Sequence, residues 1–428
     1  MIYFNKVTSC IKKFATSLPL LNTLRIIFFV SILVRVIIFN FLPATPSSLA
    51  PDEGTYADLV KFIASGKNTE DYPGFGPGLY ATSRVLILPA LYLNYYGFSP
   101  LDSVRVISSL FGALSAFMLL IYSTYILQIN KNIFVRNIGF KITFILFFAT
   151  FTFLPSRFLW SVVGLRESAN EFLLICLFIS LNFFLFHAKN SAKKYIYLSL
   201  CSILIICLMS IRIQVALVVY LSFWIIFFTI KLNYRDRLVY LIVFLFTWVP
   251  MQQIANVQSN IVPESTKQEI FSMYTINTEQ KALGNTVNAE SDLKIVRCPE
   301  ILTNNEYKAL SNLFCNAYRI PTSIPPYLFR PFFGSDTYSL ATYLAALENL
   351  IWLIGVFFVF SNAILKRKIL YFEYLRPAAI FSIAFICAAS IYEGNLGTAF
   401  RHKTLIIITL FLWVILIQYS NALNKKNK

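Results

Sequence analysis

Residues 79–97 read LYATSRVLILPALYLNYYG, and whether this stretch crosses a membrane decides the fold. It is apolar but short, is interrupted by Pro89, and opens beside Arg84. A hydrocarbon core about 30 Å thick needs roughly 20 apolar residues as a helix. The stretch therefore reads as a re-entrant or interfacial helix. Around it, long apolar runs lie near 22–42, 104–127, 142–156, 168–187, 195–211, 214–230, 238–254, 339–361, 374–391 and 404–420, which predicts ten spans. With the N-terminus placed in the cytoplasm, the inner segments collect Lys6, Lys12, Lys13, Arg25, Lys131, Arg136, Lys141, Lys189, Lys193, Lys194, Lys231, Arg235, Arg237, Lys366, Arg367, Lys368, Arg376, Lys425, Lys426 and Lys428. Against those 20 basic residues stand only Asp236 and Glu373, so the inner side carries +18 and everything else −1. Counting 79–97 as a full span would turn the later basic loops outward, against the positive-inside rule.

Composition excludes most other classes. Hydrophobic residues make up 57% of the 428 and charged residues 13%, and mean hydropathy is +0.65; soluble proteins carry about 25% charged residues. A soluble globular enzyme, a disordered chain and an ordinary nucleic-acid-binding domain are ruled out, and the lipid bilayer is the first partner. The net charge of +17 is a topology signal, not the mark of an anionic partner. The 42 Phe and 24 Tyr suit lipid-facing helices with aromatic belts. The predicted fold is an all-α polytopic membrane protein with about ten transmembrane helices, both termini cytoplasmic, and two large extracytoplasmic loops. The divisions are a cytoplasmic N-terminus (1–21), a membrane module (22–254) with a first outer loop (43–98), a second outer loop (255–338), C-terminal membrane helices (339–420) and a cytoplasmic tail (421–428). The first apolar run is a retained span, with no small-residue cleavage site closing it. Cys298 and Cys315 share the second outer loop, where an oxidising exterior would permit a disulfide. Cys176, Cys201, Cys207 and Cys387 read as small core residues of the membrane helices.

Three outer stretches carry chemistry. In the first, PDEGTYADLV (51–60), Asp52 and Glu53 open a helix beyond the first span, with Tyr56 one turn on. Acids there complement the helix dipole, but adjacent carboxylates at a membrane surface are costly to leave unpaired. In the second, PSRFLWSVVGLRESANE (155–171), Arg157, Arg166, Glu167 and Glu171 stand between two apolar runs. Ionisable groups at such depth pair with one another or face a polar cavity. In the third, EGNLGTAFRHK (393–403), Arg401, His402 and Lys403 precede the last span and could hold a phosphate. Arg212, between two spans, is a weaker candidate of the same kind. Arg35 and Arg105 read as snorkelling side chains. Glu348, inside the eighth span, needs a partner.

With those motifs in order, the chain resembles the GT-C glycosyltransferases, multi-span enzymes that use polyprenyl-phosphate-linked sugars. Its nearest likeness is the family-39-like branch of protein O-mannosyltransferases and aminoarabinose transferases. PDEGTYADLV is similar to that family's acidic motif in the first outer loop. SPLDSVRVISSLFGALSAFMLLIYS, with Arg105 near its start, resembles the second span. LPSRFLWSVVGLRESANEFLL resembles the outer segment before the fourth. The likeness covers about residues 22–190 and departs from the family in lacking a large C-terminal soluble domain and in carrying Glu at position 167 where many relatives have Asp. It implies an inverting transfer of sugar from a polyprenyl-phosphate donor to a glycan, lipid or protein acceptor, at the periplasmic or exterior face of a plasma (bacterial inner) membrane, in cell-surface glycan assembly. The catalytic set would be Asp52 as general base with Glu53 and Glu167. Tyr56, Arg157, Arg166, Arg212, Arg401, His402 and Lys403 would bind substrate, and a divalent cation, Mg2+ or Mn2+, on Glu53 and Glu167 could offset leaving-group charge. The alternative is an O-antigen or exopolysaccharide polymerase, and beyond that a transporter of polysaccharide or lipid-linked sugar, which would keep its charges along a path near mid-membrane.

Overall fold

A computed structural model describes residues 20–46, 52–67, 83–129, 138–187, 191–229, 232–261, 308–334, 340–366, 376–392 and 400–406. Among these the chain is helical, with no strand. In order the helices are α1 (Leu20–Phe41), α2 (Asp52–Ala64), α3 (Leu88–Tyr95, entered through a π-helical turn Ser83–Ile87), α4 (Pro100–Ile129), α5 (Ile138–Phe153), α6 (Pro155–Val162), α7 (Glu167–Asn182), α8 (Ser191–Ile211), α9 (Ile213–Thr229), α10 (Tyr234–Ile261), α11 (Lys308–Phe329), α12 (Leu340–Lys366) and α13 (Arg376–Tyr392). A further helical stretch, α14, covers 400–406. Cys298 and most of the second outer loop lie outside the described residues, as does the side chain of Cys315.

The architecture is that of an α-helical membrane protein. Among the described residues four helical stretches are long and apolar enough to cross a bilayer: Leu20–Phe41, Pro100–Tyr122, Glu167–Leu185 and Ser191–Ile211. α5 and α6 would make a fifth if the 40° bend between them lies within one span. That bend has a local cause. Leu154 precedes Pro155 and sits at φ −56°, ψ 126°; the proline ring disfavours helical conformation in its predecessor. α1 buries only a narrow strip, Thr23, Leu24, Ser31 and Arg35, and leaves Phe29, Leu33 and Phe41 exposed. α7 is the opposite case. It is buried over most of its length and packs against α4, α8 and α13 at the centre of the bundle.

The segment 83–95 is a short helix lying on its neighbours. At 1.5 Å per residue it reaches about 20 Å, too little to cross a bilayer. Leu86, Ile87 and Ala90 are buried against Tyr56, Leu59 and Val60 of α2 and Val104 and Ile107 of α4. Tyr92, Tyr95 and Tyr96 are exposed at its far end, where an interfacial helix carries its amphipathic rings. The described part of the polar second loop holds a helix that its three prolines concealed. α11 is helical through Pro321, Pro325 and Pro326 and packs on α12 and α13.

Ion pairs fix which helix ends lie together. Arg212, between α8 and α9, pairs with Glu167 at the start of α7. Arg401 in α14 pairs with Asp52 at the start of α2. Lys194 near the start of α8 meets Asp236 near the start of α10 at 2.5 Å, at the other end of α8.

Candidate functional site

Asp52 and Glu53 open α2, where carboxylates complement the free N–H groups of the first turn. Successive helical residues point about 100° apart, and the two acids part accordingly. Glu53 is fully buried. Its Oε1 and Oε2 accept from Nη2 and Nε of Arg105 at 2.9 and 3.1 Å, and Arg105 donates two further hydrogens to the carbonyls of Pro43 and Thr45 at 2.7 and 3.2 Å. Gly164, at φ +71°, passes so close that an added Cβ would lie 3.4 Å from Glu53 Oε2. Asp52 faces the other way, its side chain 51% exposed, and its Oδ2 accepts from Arg401 Nη1 at 3.1 Å.

Around Asp52 four distant stretches of chain converge. Arg401 reaches over the Trp160 ring of α6, 5.9 Å from its centroid. Glu167 is buried and faces Arg212 Nη1 across 3.5 Å. Arg166, Arg401 and His402 also lie within electrostatic range of Glu167. Glu167 Oε2 has no hydrogen-bond partner among the described residues. One turn along α2 from Asp52, Tyr56 is buried. Burial pushes its phenol up to about 12; Glu167 and Asp52 add to the rise, and Arg166 and Arg212 oppose it. Tyr56 therefore keeps its proton at neutral pH and remains a donor. Burial alone would lower Arg166, but Tyr56, Glu167 and Asp52 outweigh it and hold the guanidinium above its ordinary value. The result is a charged cluster in which arginines outnumber carboxylates and one carboxylate, Asp52, is open to its surroundings.

Two residues read from sequence as substrate ligands stand elsewhere. Arg157 turns into the bundle. Its Nε pairs with Glu171 Oε1, its guanidinium lies 3.9 Å from the Phe151 ring centroid, and it donates to the Phe151 carbonyl at 3.2 Å. Lys403 points the opposite way from Arg401 and bonds to Arg330 O and Asn349 Oδ1. Arg35 and Arg105 do not snorkel. Arg35 is buried, donates from Nε to Ser161 Oγ at 3.2 Å, and lies 4.4 Å from the Phe158 ring centroid. Glu348 finds its partner in Ser156, accepting from that residue's backbone N–H at 2.7 Å and from its hydroxyl. Trp160 and Asn349 carried no sequence signal of their own; Trp160 follows Arg157 by three residues and Asn349 is next to Glu348.

Glu53 and Glu167 do not fit a shared cation site. Glu53 gives both oxygens to one guanidinium, and Glu167 sits among arginines. Among the described residues no three His, Cys, Asp or Glu side chains gather. Comparison with protein-family models, curated proteins and solved structures finds no match to this chain.

Proposed function

We propose that the chain is a membrane glycosyltransferase that moves a sugar from a polyprenyl-phosphate donor to an acceptor hydroxyl at the extracytoplasmic face. The observation that carries this reading is the open carboxylate of Asp52 beside Arg401, within a cluster built from Tyr56, Arg166, Glu167, Arg212 and His402. A transferase of this kind needs a base with access to the acceptor and a preformed set of cations for the departing phosphate. Asp52 takes the acceptor proton as the hydroxyl oxygen attacks the anomeric carbon. The sugar–phosphate bond breaks with its electron pair going to the phosphate, which Arg401, Arg212 and Arg166 receive. Attack from the face opposite the leaving group inverts the anomeric centre. Arg401 holds Asp52 while the site is empty and exchanges it for the donor phosphate, which frees the base.

The same reading orients the chain. Ten spans with cytoplasmic termini put Asp52, Glu167, Arg212 and Arg401 together on the outer side and Lys194 with Asp236 on the inner side. The Asp52–Arg401, Glu167–Arg212 and Lys194–Asp236 pairs support that arrangement. A reporter fused after Lys141 is expected in the cytoplasm and one after Asn288 outside; the reverse overturns the orientation. The function is tested by assaying Asp52→Asn for transfer from polyprenyl-phosphate sugars in reconstituted membranes. Loss of transfer with folding retained supports the base, and undiminished transfer removes it.

A further inference from the structure

Three consecutive carbonyls where α11 ends, that of its last residue and the two that follow, are held by two side chains from elsewhere. Asn349 of α12 donates from Nδ2 to Phe329 O at 3.1 Å and to Pro331 O at 3.2 Å. Lys403 of α14 donates from Nζ to the carbonyl between them, Arg330 O, at 2.5 Å, and to Asn349 Oδ1 at 3.2 Å. Both side chains are buried, with 4% and 2% of their surface exposed. The last carbonyls of a helix have no partners of their own, and the negative end of its dipole draws a cation. The two groups thus make a C-cap assembled from three elements.

This cap reaches the charged cluster by two routes. Arg401 and Lys403 are two residues apart on one helix, so they project about 200° from each other. Whatever fixes Lys403 also fixes the direction in which Arg401 leaves the helix, and that direction is toward Asp52. On α12, the neighbour of Asn349 is Glu348, which caps the start of α6 through the N–H and hydroxyl of Ser156. α6 carries Trp160, the ring beneath Arg401.

The geometry points to Lys403 and Asn349 as positioning residues: they clamp the end of α11, and through that clamp they aim Arg401 at Asp52. The clamp makes the second outer segment part of the site's framework, because its last helix ends in the contact that sets α14. Lys403 thereby leaves the set of substrate ligands. The aiming part of this inference rests on the glycosyl-transfer reading; the clamp itself does not.

The test has two arms, run on the full chain in nanodiscs. In the first, amide hydrogen exchange is followed over 319–331. Lys403→Met, which keeps the length of the side chain and loses its donors, is expected to speed exchange there about tenfold, in line with the loss of a charged, buried hydrogen bond. Ser202→Ala, which removes a hydrogen bond to Thr247 between α8 and α10, leaves that segment unchanged. If Lys403→Met also leaves it unchanged, the clamp is overturned. Should Lys403→Met fail to fold, Asn349→Asp carries the same reading, since it keeps an acceptor for Lys403 and loses the donors to Phe329 and Pro331. In the second arm, transfer is measured for Lys403→Met, Arg401→Gln and the double variant. Each single change is expected to cost tenfold or more, and the double no more than Arg401→Gln alone. Multiplying losses overturn the aiming role. If Asp52→Asn retains transfer, the functional reading falls while the exchange arm still decides the clamp.

Discussion

Asp52 and Glu53 are neighbours in sequence and belong to different regions of the molecule. Glu53 lies in a closed region with Arg105, and a second closed region joins Arg157 to Glu171 beside Arg35. There the carboxylates are engaged by guanidinium donors, further hydrogens go to backbone carbonyls or aromatic faces, and nothing is exposed. Asp52 lies in an open region. Its contact with Arg401 is a single one at 3.1 Å, the Glu167–Arg212 pair is looser at 3.5 Å, and half of the Asp52 side chain faces outward. The same residue types serve two purposes. A buried pair whose charges are matched inside the protein holds helices together; a pair with an exposed carboxylate leaves a charge that another molecule can reach.

The sharpest way to break this contrast is to neutralise each acid in turn. Asp52→Asn is expected to reduce transfer by about 10²–10⁴-fold, the range for loss of a general base. Its effect on stability should stay within about 0.5 kcal/mol, as for an exposed position. Glu53→Gln should behave in reverse. It strips a buried Arg105 of its countercharge, which costs about 3–5 kcal/mol, read as a drop in unfolding midpoint in detergent and a loss of folded yield. If Glu53→Gln folds normally and only lowers activity, the pair is not structural and the two regions are one.

Much of this was legible in the sequence. The apolar runs give the helices, and the punctuation around Asp52 marks the start of α2. What stayed hidden depended on direction. Arg401, His402 and Lys403 read as one basic patch, but on a helix they fan out by about 100° per step. Arg401 therefore meets Asp52 while Lys403 enters the bundle. Arg105 lies 52 residues from Glu53, and no local pattern links them. Arg157 sits within the PSRFLWSVVGLRES stretch whose other charges face the site, yet it pairs with Glu171 inside the bundle.

A smaller effect tests the packing that keeps the closed region closed. An added Cβ at Gly112 of α4 would lie 2.4 Å from Ser161 Cβ of α6, and Arg35 Nε is within 3.7 Å. Gly112→Ala should push α6 away and cost about 1–3 kcal/mol, the range for overpacking. Because α6 also carries Trp160, transfer should fall with stability. A stable Gly112→Ala protein with full activity would show that the two regions do not share α6 as a rigid link.

The smallest expected effect lies on that link's exposed side. Trp160 is half-buried beneath Arg401, and its indole Nε1–H has no partner among the described residues. At 5.9 Å from the ring centroid the guanidinium gains about 0.5–1 kcal/mol from the ring face. Trp160→Leu keeps an apolar surface there and removes the quadrupole, so transfer should fall about two- to fivefold with little change in stability. Trp160→Phe, which retains a weaker aromatic face, should fall between. If the ring only fills space, Leu and Phe will be equivalent. A graded response would mean that the open region owes part of its preorganisation to a ring supplied by the same short helix that anchors the closed one.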